Sequence, residues 1–183
     1  MLQADGIGNL NQVQVIRKAL LSCPDDVPPR HSNELPFIRD ANSRKTLLID
    51  LETARSALNH GEWKAATVLG GSLVEALLLW AVQQKAAADI QTACSEAVSA
   101  AKLPRNPPSD PLNWVLFQLV QVAEQLTLIE SDTATQARLA KDFRNLIHPG
   151  LAIRTQQYCD RGTALAANAA VEFVSRDLQI RFP

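Results

Sequence analysis

The sequence predicts an all-α protein, a helical bundle of five to six helices with a short N-terminal appendage, and three observations support this. Apolar residues recur at helical spacing along almost the whole chain, and no segment sustains the apolar-polar alternation of a β-strand. Prolines gather between the periodic stretches. With 183 residues, 46% of them hydrophobic, the chain can bury one core without metal or disulfide support.

The first 35 residues are predicted to form the appendage. A short helix is expected over 11–22, and a polar, proline-rich stretch follows from Cys23 to about Pro36. One side of that helix is apolar: Val13, Ile16, Leu20 and Leu21. We therefore divide the chain into an appendage, 1–35, and a helical bundle, 36–183.

The first two helices of the bundle are expected over 37–60 and 62–84. The first has an apolar stripe and ends at His60-Gly61, where His60 is interpreted as a C-terminal cap. The second is apolar nearly all round, which predicts a central position. A carboxylate near its middle, Glu75, argues against a membrane span, and Gly70-Gly71 is interpreted as a point of close helix approach.

Three more helices and the motif helix complete the bundle. An alanine-rich helix is expected over 87–102, and four prolines make 104–111 a loop. Asp110 is predicted to cap a helix over 112–126, with Pro111 at its first position. The apolar stripe of this helix is expected to include Leu112 and Val115. A capping box of Thr133 and Gln136 is expected to start the next helix. The last helix is expected over about 160–178, with these residues on its core side: Ala167, Ala170, Val171, Val174 and Leu178.

The segment Asp142 to Gly150, DFRNLIHPG, is the most informative of the chain. It places Arg144 and His148 four residues apart, and residues at this spacing lie one above the other on a helix. Pro149-Gly150 is expected to end that helix. The two side chains are predicted to lie at the border of the apolar stripe, where both can contact one small anion such as a phosphodiester.

Cleavage of RNA without a metal needs such a pair. An imidazole can accept the proton of the 2′-hydroxyl or donate one to the leaving oxygen, and a guanidinium can hold phosphate oxygens. Glu75 is the lone charge of an apolar helix, so we hypothesise that it pairs with Arg144 and orients it. A plainer interpretation is that His148 only caps a helix and interacts with its dipole.

These residues resemble the HEPN superfamily, the higher eukaryote and prokaryote nucleotide-binding domains. The resemblance covers about 37–178 and rests on the run AATVLGGSLVEALLLWAV, a helix ending in LTLIESD, then LAKDFRNLIHPG and one more helix. It implies that Arg144 and His148 match the arginine and histidine of the family, and Asn145 the polar residue beside the arginine. The family usually has four to six residues between the two, whereas this chain has three.

The resemblance implies a homodimer in which two such motifs meet. Many family members are metal-independent endoribonucleases of toxin-antitoxin, phage-defence or CRISPR-linked systems, and others are non-catalytic modules that bind a nucleotide or a protein. Both functions stay open for this chain, as does a purely structural bundle. RNA or a nucleotide is the expected ligand and an antitoxin protein a candidate partner.

Charge and cysteine content set the remaining expectations. A formal net charge of −1 gives no bulk attraction to nucleic acid. Cys23, Cys94 and Cys159 are widely separated, which is typical of reduced thiols in a cytoplasmic protein. No signal peptide is recognised at the N-terminus. The spacing of histidines and cysteines favours no metal site, so we expect no metal and no cofactor.

Overall fold

The computed structural model describes residues 35–183, together with Gln14, Val15, Lys18 and Ala19. Within this part of the chain it contains α-helices and no β-strand, which confirms the all-α bundle. The helices of 35–183 are α1 Ala41–Asn59, α2 Trp63–Gln83, α3 Ala87–Ser99, α4 Leu116–Gln125, α5 Ser131–Arg144, α6 Pro149–Thr155 and α7 Arg161–Arg181. This bundle has seven helices rather than five to six, and the additional one is α6. Apart from the four helical residues named above, the helix predicted over 11–22 lies outside the described residues.

Helix α2 is the central helix, as its composition predicts. It packs against α1, α5 and α7, and more lightly against α4. By length and composition alone it is apolar enough to cross a membrane, but 56% of that apolar window is buried inside the bundle. Its fully buried side chains include Val74, Leu77, Leu78, Ala81 and Val82.

The first turn and the last turn of α1 are fixed by local hydrogen bonds. The Asp40 carboxylate accepts a hydrogen bond from the Ser43 backbone N–H at 2.7 Å. At the other end His60 is the C-terminal cap, and its Nδ1 lies 2.7 Å from the carbonyl oxygen of Ser56. Gly61 follows with φ +74°, a left-handed conformation that favours glycine. The predicted cap at His60 is thus confirmed.

The start of α4 differs from the prediction. Asp110 acts as a cap, since its carboxylate accepts from the Leu112 backbone N–H at 3.0 Å, but it caps only a 3₁₀ turn, Pro111–Asn113. Trp114 then adopts an extended conformation, buries its ring, and donates from Nε1 to the Pro108 carbonyl at 2.6 Å. Burial of the Trp114 ring in the core delays the helix to Leu116. Leu112 and Val115, placed in the apolar stripe by periodicity, are therefore exposed.

The predicted capping box at Thr133 is also wrong. Helix α5 begins at Ser131, with Glu130 at the cap position and no side-chain bond of its own. The buried carboxylate of Asp177, in α7, accepts a hydrogen bond from the Glu130 backbone N–H at 2.9 Å. A residue distant in sequence therefore caps α5, which local spacing does not reveal.

Two charged residues of α5, Arg138 and Asp142, are four residues apart but do not form an ion pair with each other. Arg138 contacts the Glu124 carboxylate at 3.2 Å and not Asp142, which lies beside Lys141 at 2.7 Å. By contrast, α7 begins as predicted, because Asp160 and Thr163 form a reciprocal capping box. The core residues predicted for α7 are all buried: Ala167, Ala170, Val171, Val174 and Leu178.

Candidate functional site

The helix that carries Arg144 ends at that residue. A 3₁₀ turn, Asn145–Ile147, follows, and His148 is extended, with φ −79° and ψ 113°. The prediction of one uninterrupted helix through His148 is therefore wrong. The reason is local, because proline disfavours helical geometry in the residue that precedes it.

Pro149 and Gly150 also act differently from the prediction. Pro149 occupies the first position of α6, where its missing N–H costs nothing, and His148 is the cap residue. The pair begins a helix instead of ending one. Arg144 and His148 consequently do not stack as residues one turn apart on a single helix.

Arg144 forms the predicted ion pair with Glu75. Its Nη1 donates to the Glu75 Oε2, so α5 and α2 are joined by a charge-assisted hydrogen bond. The two side chains are 31% and 33% exposed, which places the pair at the edge of the core rather than inside it. This exposure confirms the border position predicted for Arg144, and solvent remains in contact with the guanidinium.

Two glycines of α2 allow its neighbours to approach closely. A Cβ atom added to Gly71 would lie 3.0 Å from both Cβ and Cδ of Arg144, and one added to Gly70 would lie 3.0 Å from the backbone of Ala167. The aliphatic part of Arg144 therefore crosses α2 at Gly71 and reaches Glu75 one turn further on. The prediction that small residues permit close approach here is confirmed.

Buried apolar side chains anchor the segment on either side of Arg144. Phe143 and Leu146 are buried and pack with Leu139 and Ala166. Asn145 is half-buried, and its backbone carbonyl accepts a hydrogen bond from the His148 N–H at 3.2 Å. These contacts hold the turn between Arg144 and His148 against the bundle.

His148 is more accessible than the sequence predicted. The side chain is exposed rather than at the border of the core, and its imidazole has no hydrogen-bond partner within residues 35–183. An exposed ring can contact a ligand from solution. Neither Arg144 nor His148 is fully buried in the bundle.

Sequence reasoning missed two exposed side chains just beyond His148. Arg154 in α6 folds back along the helix, since a Cβ added to Gly150 would lie 3.8 Å from its Nη1. Tyr158 is 62% exposed, and it is the exposed aromatic residue of the part of the chain that the structure describes. Their signal was present in the sequence as an arginine and a tyrosine shortly after the motif. A cation and an aromatic ring thus follow the histidine.

Comparison of the chain with protein-family models, with curated proteins and with solved structures returned no match.

Proposed function

We propose that this chain is a HEPN-like domain that binds RNA and cleaves it without a metal, as an endoribonuclease of a toxin-antitoxin or phage-defence system. One observation supports this function above others. Glu75 and Gly71 hold Arg144 half-exposed at the end of α5, and an exposed imidazole, that of His148, follows four residues later.

Arg144 is suited to bind a phosphodiester while it remains paired. A guanidinium has five N–H donors arranged as a fork, and the bond to Glu75 uses Nη1. Donors on the other side of the fork remain for phosphate oxygens. The carboxylate offsets part of the positive charge, so Arg154 supplies a second cation on the same segment, and Tyr158 offers a ring on which a base can stack.

His148 supplies the proton transfer. An imidazole can act as base toward the 2′-hydroxyl or as acid toward the leaving 5′-oxygen, but one ring does not do both in a single step. A symmetric homodimer would bring a second His148 and a second Arg144 to the same phosphodiester. We therefore propose that the protein acts as a homodimer. We also propose that it acts in the cytoplasm and is neutralised by an antitoxin protein.

A non-catalytic module that binds a nucleotide or a protein is the second candidate. Two observations favour it: the charge of Arg144 is already matched by Glu75, and the three-residue spacing together with the turn separates Arg144 from His148. In that case the site binds its ligand and leaves it intact.

Cleavage and binding by matched variants distinguish the two functions. Wild-type protein, Arg144→Ala and His148→Ala are incubated with fluorescent single-stranded RNA and a metal chelator, with Arg105→Ala as a control that removes an exposed arginine of the proline-rich loop. Cleavage by the wild type and by Arg105→Ala, but by neither site variant, supports the nuclease. Saturable binding of RNA or nucleotide without cleavage supports the second candidate. No binding and no cleavage by the wild type contradicts both the nuclease and a module that binds a nucleotide.

A further inference from the structure

One side of α2 is fully buried by the bundle, and the other side is only partly buried. At 100° per residue, the half-exposed residues form one continuous sector, bounded by Glu75 next to α5 and by Trp80 on the opposite edge. The side chains between them are small or aliphatic, and one of them carries a hydroxyl: Ala65, Val68, Leu69, Ser72, Ala76 and Leu79. Together with Trp63, part of it forms a shallow depression of about 670 Å³. A helix that is apolar all round normally has such a surface buried.

The chain enters the described structure at the edge of this sector. Leu35 is buried in the core, and the ring of Phe37 lies 5.3 Å from the ring of Trp80, centroid to centroid. Trp80 also contacts Phe182 at 5.1 Å. Residues 1–34 are therefore attached beside the C-terminal end of the sector.

The sequence of residues 11–22 matches the sector in length and polarity. A helix of this segment would be about 18 Å long and the sector from Ala65 to Leu79 about 21 Å. The linker 23–34 can span up to about 40 Å, so it allows the segment to turn back.

The four described residues of the segment agree with this placement. Val15 is 51% exposed and Lys18 is also exposed, and both are helical. On a helix they lie away from the side defined by Val13, Ile16 and Leu20, which recur at spacings of three and four. The exposed side is thus the one that the apolar stripe does not occupy.

We propose that residues 11–22 pack as a helix against the half-exposed sector of α2 within the same chain, through Val13, Ile16 and Leu20. The segment then completes the burial of the central helix and forms part of the bundle. This docking is independent of RNA cleavage.

Urea unfolding of full-length variants tests the docking. Ile16→Asp places a charge on the apolar side of the segment, Val15→Asp places the same charge on its exposed side, and Val68→Asp places one in the sector. We expect Ile16→Asp to lower the unfolding midpoint and Val15→Asp to leave it unchanged. The double variant Ile16→Asp/Val68→Asp should unfold at the same urea concentration as Val68→Asp alone, because either charge already abolishes the docking.

Two results would overturn the proposal. In the first, Ile16→Asp has no effect, or its effect adds fully to that of Val68→Asp. In the second, a second copy of the chain covers the sector: the midpoint then rises with protein concentration, and sedimentation shows a dimer that Val68→Asp dissociates and Ile16→Asp does not.

Discussion

Substitution of three glycines by alanine tests how closely α2 is packed against the helix that carries Arg144. In a helix interior, alanine is favoured over glycine by about 1 kcal/mol. Against this, a new methyl group in a packed interface costs about 1–3 kcal/mol. The contact that each new Cβ would make decides which effect is larger.

The contacts of the added Cβ atoms rank the three substitutions by their expected effect on stability. At Gly70 the Cβ would lie 3.0 Å from the backbone of Ala167, which does not move easily, so we expect Gly70→Ala to lower the free energy of unfolding by about 2 kcal/mol. At Gly71 it would lie 3.0 Å from the Cβ and Cδ of Arg144, and because part of that side chain can shift, we expect a loss of about 1 kcal/mol. Gly150 is the matched control. Its Cβ would meet the flexible end of Arg154 at 3.8 Å, so Gly150→Ala should be neutral or slightly stabilising.

The assay is urea unfolding of the three variants and the wild type, monitored by circular dichroism. The dependence of the unfolding free energy on urea concentration should be the same for all four proteins if unfolding is two-state. If Gly71→Ala were as stable as Gly150→Ala or more stable, helix propensity alone would account for the data. The close crossing of Arg144 over Gly71 would then be refuted.

Three more substitutions test the charges and the buried polar groups. Glu75→Gln should lower the stability by less than about 1 kcal/mol, because the ion pair is about a third exposed and solvent screens it; a loss above 3 kcal/mol in urea unfolding would show that the pair is more deeply buried. Burial alone would raise the pKa of Asp177, but hydrogen bonds from the Glu130 N–H, Thr133 and Arg176 hold it below its ordinary value of 3.8. The ionised Asp177 carboxylate therefore adds to the free energy of unfolding. This contribution is fully present above the pKa that Asp177 has in the unfolded chain, and it is lost as pH falls through the lower pKa of the folded protein. The unfolding midpoint of the wild type should fall more steeply than that of Asp177→Asn below pH 3.8, and parallel pH profiles would contradict this. Ser175 has a buried Oγ without a hydrogen-bond partner in the described chain, so Ser175→Ala should leave stability unchanged or raise it by up to about 1 kcal/mol, and a loss above that amount would reveal a missed bond.

Periodicity predicted most of the bundle because helices that pack on one core must repeat apolar residues every three or four positions. It identified the central helix, the core side of α7 and the cap at His60. It failed where a contact distant in sequence decides the local structure. Burial of Trp114 in the core delays α4, and Asp177 rather than Thr133 caps α5.

The candidate site was predicted in part. A lone carboxylate in an apolar helix needs a partner, and this argument correctly joined Glu75 to Arg144. The stacking of Arg144 and His148 was wrong, because Pro149 imposes an extended conformation on His148 and starts α6. Helical geometry is disfavoured for a residue before a proline, and at His148 this local effect outweighs the helical spacing of the motif.

Separate measurement of RNA binding and RNA cleavage by His148→Ala tests the proposed function most directly. Binding is followed by fluorescence anisotropy and cleavage by gel electrophoresis, both in the presence of a chelator. If Arg144 holds the phosphodiester and His148 transfers the proton, the variant binds RNA within about threefold of the wild type and no longer cleaves it. Equal cleavage rates for the variant and the wild type would contradict the account.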